Sequence, residues 1–317
     1  MKLNEVYQLA IEMGIKADPR SEATIKKELA KSQKAYDKLE AEEKEFFDTD
    51  YLFNPYSDSR ILNGDPEAKV SKVYCGVDID SGEVAVAAAL NQQGAGIDLI
   101  MAHHPEGSAL ADLPKVMEMQ IAYMQDKGVW PHIAESLMAE RIKEVDGSIG
   151  VRNHNRAVQS AELLGFNFMC VHTPTDNLAN DFMTKYLEAE KPETVGDLCK
   201  VIRKLPEYHF SAKQHNPARV ITGSKENSVG KFHIWFTGGT SGHKDTMKAL
   251  SEAGISTIIT MHATEKEIEV AKEARLNLVI AGHIASDNLG INLLMDQLEA
   301  RGMEVVPCSG LVRVKRN

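Results

Sequence analysis

Short apolar runs alternate with helical stretches along most of this chain, and that alternation constrains the fold more than any other feature. The runs fall at residues 70–77, 96–102, 167–171, 231–236, 255–260, 276–281 and 303–306. Between them, apolar residues recur at helical spacing over 116–126, 134–145, 176–189, 194–204, 243–253, 264–274 and 288–300. Apolar runs this short, separated by helices, predict an α/β fold with mixed, largely parallel sheets flanked by helices. A seam at 191–194, with Pro192, is expected to divide an α/β half at 66–190 from a second at 191–317.

The first 65 residues read differently, as a helical extension and connector. From Ser21 to Phe47 there is dense mixed charge without Gly or Pro. Ile25, Leu29, Tyr36, Leu39 and Phe46 mark one stripe of a long helix, clamped along the body or held out as a partner-binding arm. Residues 54–66, NPYSDSRILNGDP, read as a turn-rich connector.

Charge and cysteine content narrow the function classes. Lys plus Arg number 36 against 46 Asp plus Glu, a net charge of -10, which opposes wholesale binding of nucleic acid or acidic membrane. Four cysteines without a CxxC pair suit a reducing compartment better than a disulfide framework. No run approaches the roughly 20 apolar residues of a membrane helix. The expectation is a soluble, cytoplasmic protein.

In α/β sheets, functional groups collect where strands end and loops lead into helices. Here the run 98–102 ends in His103-His104-Pro105, and 168–171 ends in His172-Thr-Pro-Thr-Asp176. The run 255–260 leads to His262-Ala-Thr-Glu265, and 278–282 ends in His283-Ile-Ala-Ser-Asp287. Five of the eleven histidines therefore stand at four strand ends, three of these followed by a carboxylate three or four residues on. Imidazole with carboxylate suits zinc, iron, manganese or nickel, whereas oxygen donors alone would suit magnesium or calcium. Too many donors for one tetrahedral ion points to two metals bridged by carboxylate. Competing readings exist: Asp176 and Asp287 could be helix N-caps, with Ser286 capping the last helix, and His262 could simply begin the next helix. His132, His154, His209, His215, His233 and His243 lack such context and read as structural or exposed. Thr237-Gly-Gly-Thr-Ser-Gly242 lacks the Walker and GxGxxG patterns and reads as a tight turn rather than a phosphate loop.

These residues resemble the YbgI-type, Nif3-like dinuclear metal-centre proteins, some of them known as a second type of GTP cyclohydrolase I. The resemblance rests on His103-His104-Pro105, on His172-Thr-Pro-Thr-Asp176 with Leu178-Ala-Asn-Asp181 behind it, and on Gly282-His283 through Asp287; Gly238-Gly239-Thr-Ser looks like the family's Gly-rich turn. It extends over residues 70–314. It implies a two-part α/β fold, a toroidal homohexamer, and metal ligation by His103, His104, Asp176 and His283. The family's fifth ligand is a glutamate four residues after the last histidine, and here that place holds Asp287, one methylene shorter. The charged segment before Asn54 and the helical stretch between His104 and His172 depart from the family pattern. The reading that follows is a dinuclear metal-dependent hydrolase of a nucleotide or other phosphate-containing small molecule, with His172 or His262 as proton-transfer group. The alternative is a non-catalytic protein that binds, stores or delivers metal.

Overall fold

The computed structural model describes residues 1–316 and contains two sheets joined through a pair of long helices. The first has the order β1-β4-β3-β2-β9: β1 Ser59–Asn63, β2 Lys72–Gly76, β3 Leu99–Ala102, β4 Asn167–Val171 and β9 Glu304–Pro307. The second has the order β5-β8-β7-β6: β5 Arg219–Thr222, β6 Phe232–Trp235, β7 Thr257–Thr260 and β8 Asn277–Ile280. Pairing is parallel except for β1 on β4 and β5 on β8. The mixed, largely parallel α/β architecture expected from the sequence is therefore the observed one.

The strand runs are continuous in sequence because helices cover both faces. In β3, Leu99 and Met101 face the cluster containing Val73 and Cys75, while Ile100 and Ala102 face Tyr74, Phe168 and Cys170. Every residue of β3, β7 and β8 is buried. The two antiparallel edge strands are the ones the sequence conceals. Strand β1 lies inside the stretch read as a connector, and β5 has only half-buried or exposed residues before Thr222. Edge strands lack the double-sided burial that writes an apolar run.

The long helix expected over residues 21–47 is divided. It runs from Glu22 to Asp37, followed by a single turn at Ala41–Lys44 and a 3-10 turn at Thr49–Leu52. The break lets the Tyr36 ring reach Phe47 at 5.1 Å, with Phe47 in turn 6.1 Å from Tyr51. An unbroken helix would hold residues 36 and 47 about 16 Å apart along its axis. Phe46, placed on the expected stripe, is 87% exposed. The segment that is clamped to the body is an earlier helix, Leu3–Lys16, which buries Leu3, Val6, Tyr7, Ala10, Ile11 and Gly14 at helical spacing. Among the described residues no helix is long and apolar enough to cross a membrane.

The two sheets meet where helix Thr173–Glu190, leaving β4, packs on helix His283–Glu299, leaving β8. A Cβ on Gly290 would overlap the Thr175 carbonyl, so glycine alone permits this crossing. Gly14 does the same for the N-terminal helix, where a Cβ would stand 2.7 Å from Pro174 Cα. Gly290→Ala must push the two long helices apart. We expect it to destabilise the protein by about 1–3 kcal/mol, the range of overpacking substitutions. Chemical denaturation read by circular dichroism checks this, and an unchanged midpoint would contradict the close crossing.

Candidate metal centre

The histidines at the strand ends converge because the parallel ladder carries past the strands themselves. The amide of His103 donates to Gly76 O and that of His104 to Val77 O, both at 2.9 Å. In a regular strand these neighbours would face opposite sides. Leaving the strand, their rings instead lie 5.0 Å apart with 41° between planes, His103 buried and His104 half-buried. His172 precedes helix Thr173–Glu190, and the amide of Asp176 donates to its carbonyl at 3.0 Å. Asp176 thus lies in the first helical turn and is not the cap. Its carboxylate is placed where the helix dipole favours negative charge.

The last helix begins one turn earlier than the capping reading of Ser286 supposes. Gly282, at φ 123°, stands at the N-cap position and His283 is the first helical residue. Ser286 donates to Gly282 O at 2.7 Å and shares a 2.8 Å hydrogen bond with Tyr208. Asp287 follows His283 by one turn on the same face, its side chain fully buried, and neither carboxylate oxygen has a hydrogen-bond partner. The N-cap reading of Asp287 is therefore excluded by geometry.

Around these two carboxylates the imidazoles form one cluster. His103 Nε2 is 3.5 Å from Asp176 Oδ1 and 3.5 Å from Asp287 Oδ1. His104 Nε2 and His283 Nε2 stand 3.6 and 3.7 Å from Asp287 Oδ2. His172 Nε2 is 3.6 Å from Asp176 Oδ2. All these separations exceed hydrogen-bond length. Two donors held about 2.1 Å from a shared tetrahedral ion are roughly 3.4 Å apart, close to what is seen.

The protons on the far side of the rings explain the gaps. His104 Nδ1 is 2.7 Å from Asp78 Oδ1, and His172 Nδ1 is 2.8 Å from Asp58 Oδ2. Ionised carboxylates only accept, so Nδ1 carries the proton in both rings. Thr175 Oγ1 donates to Val171 O at 2.7 Å and so accepts from His103 Nδ1 at 2.9 Å. In these three rings Nε2 therefore presents a lone pair toward carboxylate oxygens. Among the described residues, His103 Nε2, His104 Nε2, Asp176 Oδ1 and both Asp287 oxygens are buried without a hydrogen-bond partner. Electron pairs facing electron pairs in a dry interior are repulsive unless a cation stands between them. The donor set fits divalent transition metals: three groups, His103-Asp176-Asp287, His104-His283-Asp287 and His103-His104-His172, each have donor atoms within 4.8 Å of one another. Asp287 belongs to two of the groups through different oxygens, which is what a bridging carboxylate requires.

Charge in the protein alone is correspondingly strained. Burial pushes the Asp176 carboxyl well above the usual carboxylate range, with Asp287 and Asp58 adding to the rise. Burial lowers His103 to about 4. Burial would also raise Asp58, but its hydrogen bond and charge interaction with His172 outweigh that and hold it low. Asp58, Asp78 and Thr175 are orienting residues that reading histidines at strand ends overlooks. The signal was present: Asp78 follows β2, and Asp58 precedes β1, whose antiparallel start lies at the same sheet end.

His262 stands outside the donor set. Its ring is 4.9 Å from His283, exposed, with Nδ1 3.5 Å from Ser241 Oγ at the mouth of a cleft that also reaches His172 and Asp176. Thr264, not His262, begins the next helix, capping Glu267 N at 3.3 Å. The glycine turn also lines the cleft and is locked structurally: Gln120 Nε2 donates to Gly238 O at 2.6 Å and Thr240 O at 2.7 Å. The N-terminal segment backs the site through buried hydrogen bonds. Arg20 pairs with Asp18 at 2.8 Å, Tyr56 donates to Asp18 at 2.9 Å, Asn177 donates to Tyr56 at 3.1 Å, and Thr237 donates to Asn177 at 2.6 Å.

Fold and site together define a two-sheet α/β protein with a buried His/Asp cluster between its sheets. The chain belongs to the Duf34/NIF3 (NGG1p interacting factor 3) family, whose pattern matches residues 125–309 and so includes Asp176, His283 and Asp287. It is similar to a NIF3 superfamily protein from Sphaerobacter thermophilus, at 25% identity over 98% of this chain and 99% of that one, with a TM-score of 0.77. It also shares its fold with reduced HcgD from Methanocaldococcus jannaschii, at 13% identity over 85% of this chain and 97% of that one, with a TM-score of 0.54. No protein of curated function matches the sequence. The Nif3-like resemblance read from the motifs is thus correct. The N-terminal segment, a departure from the family pattern, falls within the near-complete overlap with the Sphaerobacter protein.

Asp58→Asn keeps an acceptor for His172 but removes the charge that fixes its tautomer. We expect metal affinity to fall roughly 10- to 100-fold, the usual effect of losing an orienting partner. Competition with a chromophoric chelator measures this, and equal affinity would reduce Asp58 to a packing residue.

Proposed function

We propose that the cluster holds two divalent transition-metal ions, zinc, iron, manganese or nickel, and that the protein is a metal-dependent hydrolase. In this reading His103, Asp176 and Asp287 hold one ion, and His104, His283 and Asp287 hold the other. The substrate is a nucleotide or other phosphate-containing small molecule. The observation that carries the reading is the set of buried, unpartnered donor atoms around Asp287. When bound, two such ions supply Lewis acidity toward a phosphoryl or carbonyl oxygen and lower the pKa of water. Asp78, Asp58 and Thr175 keep the proton on Nδ1 of His104, His172 and His103, leaving each Nε2 free. His172, oriented by Asp58, presents Nε2 beside Asp176 and either transfers a proton there or adds a donor. His262, at the cleft mouth with Nδ1 toward Ser241, carries a proton on Nε2 to or from a leaving group. By the resemblance, the chain works as a homohexamer.

The shorter Asp287 is sufficient because Gly290 lets its helix approach closely. Asp287→Asn, which removes the charge while keeping shape, should lower the content of both ions by elemental analysis. Asp287→Glu adds about 1.5 Å of reach in a packed interior and should also lose metal. Full stoichiometry in the Asn variant would remove Asp287 from the ligand set.

Activity is tested on a panel of phosphomonoesters, phosphodiesters and nucleoside triphosphates. Turnover by the metal-loaded protein, abolished by a chelator and restored by the ion, is the expected result. A fully loaded protein that turns over none of them would favour the non-catalytic metal-binding, storage or delivery role.

A further inference from the structure

Among the described residues the second sheet ends in an unpaired edge: β5 is bonded to β8 on one side only. Beside it runs a groove of about 770 Å³, bounded on the far side by helix Val195–Ile202 and at one end by the turn at residues 223–226. Its floor is apolar, formed by Cys199, Pro217, Ala218 and Val220. Its rim carries four exposed cations, Lys200, Arg203, Arg219 and Lys225. The one acid in the lining, Glu226, is engaged by the Ser224 hydroxyl. Lys200 pairs with Asp197 at 3.0 Å, and Arg219 donates to Asn216 at 2.9 Å. Among the described residues, the side chains of Arg203 and Lys225 have no hydrogen-bond or ion-pair partner. Both lie near Cys199, where burial raises the thiol pKa and these two cations offset part of the rise. On a chain of net charge -10 this is a local positive concavity set against the average field.

We propose that this groove is a second binding site, separate from the metal centre, that takes a phosphorylated small molecule with an apolar body. The body lies on the Cys199, Ala218 and Val220 floor, and the phosphate is held between Arg203 and Lys225. The volume falls within the usual range of small-molecule sites, which are apolar with a few placed polar groups. A guanidinium offers phosphate two parallel donors and an ammonium offers a point charge, and here both are uncommitted. Single-stranded nucleic acid is disfavoured because the lining holds no aromatic ring on which bases stack. An acidic peptide adding a strand to β5 is disfavoured too. That strand has four residues and its register shifts between Val220 and Thr222, which blunts an edge against pairing.

The test uses the metal-loaded protein and calorimetric titration with geranyl diphosphate, whose body is a hydrocarbon chain, with inorganic pyrophosphate as a probe lacking the apolar body and hexaglutamate as the peptide arm. Geranyl diphosphate should saturate a site that pyrophosphate fills more weakly. The double variant Arg203→Gln/Lys225→Gln should bind geranyl diphosphate roughly tenfold more weakly or worse, as expected for losing charge-assisted contacts, with metal content unchanged. Ala218→Asp, which places a carboxylate on the floor, should weaken geranyl diphosphate in the same direction. Absence of saturable binding by either phosphate probe overturns the proposal. So does equal geranyl diphosphate affinity in the double variant, which would assign the binding to the metal centre or elsewhere, and so does tighter binding of hexaglutamate. Because metal content is read on the same samples, loss of the groove's function and loss of the metal centre are distinguishable.

Discussion

The close crossing of two helices sets the geometry on which the rest of the protein depends. Helix Thr173–Glu190 leaves the first sheet and helix His283–Glu299 leaves the second, and each carries one carboxylate of the cluster in its first turns. Their separation is limited by backbone contact at Gly290 and Thr175, not by side chains that could repack. The same Thr175 that meets Gly290 also accepts from His103 Nδ1. One residue thus couples the spacing of the helices to the orientation of a candidate ligand. A shift of the crossing would move Asp287 relative to Asp176 and widen the 3.5 Å gaps between the donor atoms of the cluster.

The second constraint is electrostatic. Four imidazoles and two carboxylates meet in a largely buried space, and three of the rings, His103, His104 and His172, hold their protons outward and their acceptor nitrogens inward. A hydrophobic core tolerates such a cluster only at a cost, because each unpaired polar atom has lost its water. The protein invests further structure in maintaining it. Asp58 is wholly buried, accepts from the Thr173 hydroxyl, and holds the His172 ring through Nδ1. The N-terminal residues, through Asp18 and Tyr56, secure Asn177 beside Asp176. This segment supports the site from behind as well as forming part of the core.

Legibility in the sequence followed burial and periodicity. The parallel strands β3, β4, β7 and β8 were visible because two covered faces leave near-continuous apolar runs. The edge strands β1 and β5 were not, since one open side relaxes that requirement. The helix Leu3–Lys16 has the spacing of a buried stripe, yet its two acids, Glu5 and Glu12, interrupt the apolar stretch and conceal it. The run from Ser21 onward had the opposite fault. Its apolar spacing suggests one continuous stripe, but only Ile25 is buried within Glu22–Asp37, and the aromatic contacts of Tyr36, Phe47 and Tyr51 bend the chain.

The sequence by itself determined the alternation of strand and helix, the collection of histidines at strand ends, and the i,i+4 pairing of His172 with Asp176 and His283 with Asp287. These are local properties, fixed by side-chain period and by the place where a strand gives way to a helix. Only the tertiary structure decided that the strand ends of two different sheets face one another. It alone decided that Asp287 is buried and caps nothing, that Asp58 and Asp78 hold the far nitrogens, and that His262 stands at the mouth instead of among the donors. Those relations join residues up to 184 positions apart, from His103 to Asp287. They depend on how closely two helices can pass, which glycine at position 290 permits and no local pattern records.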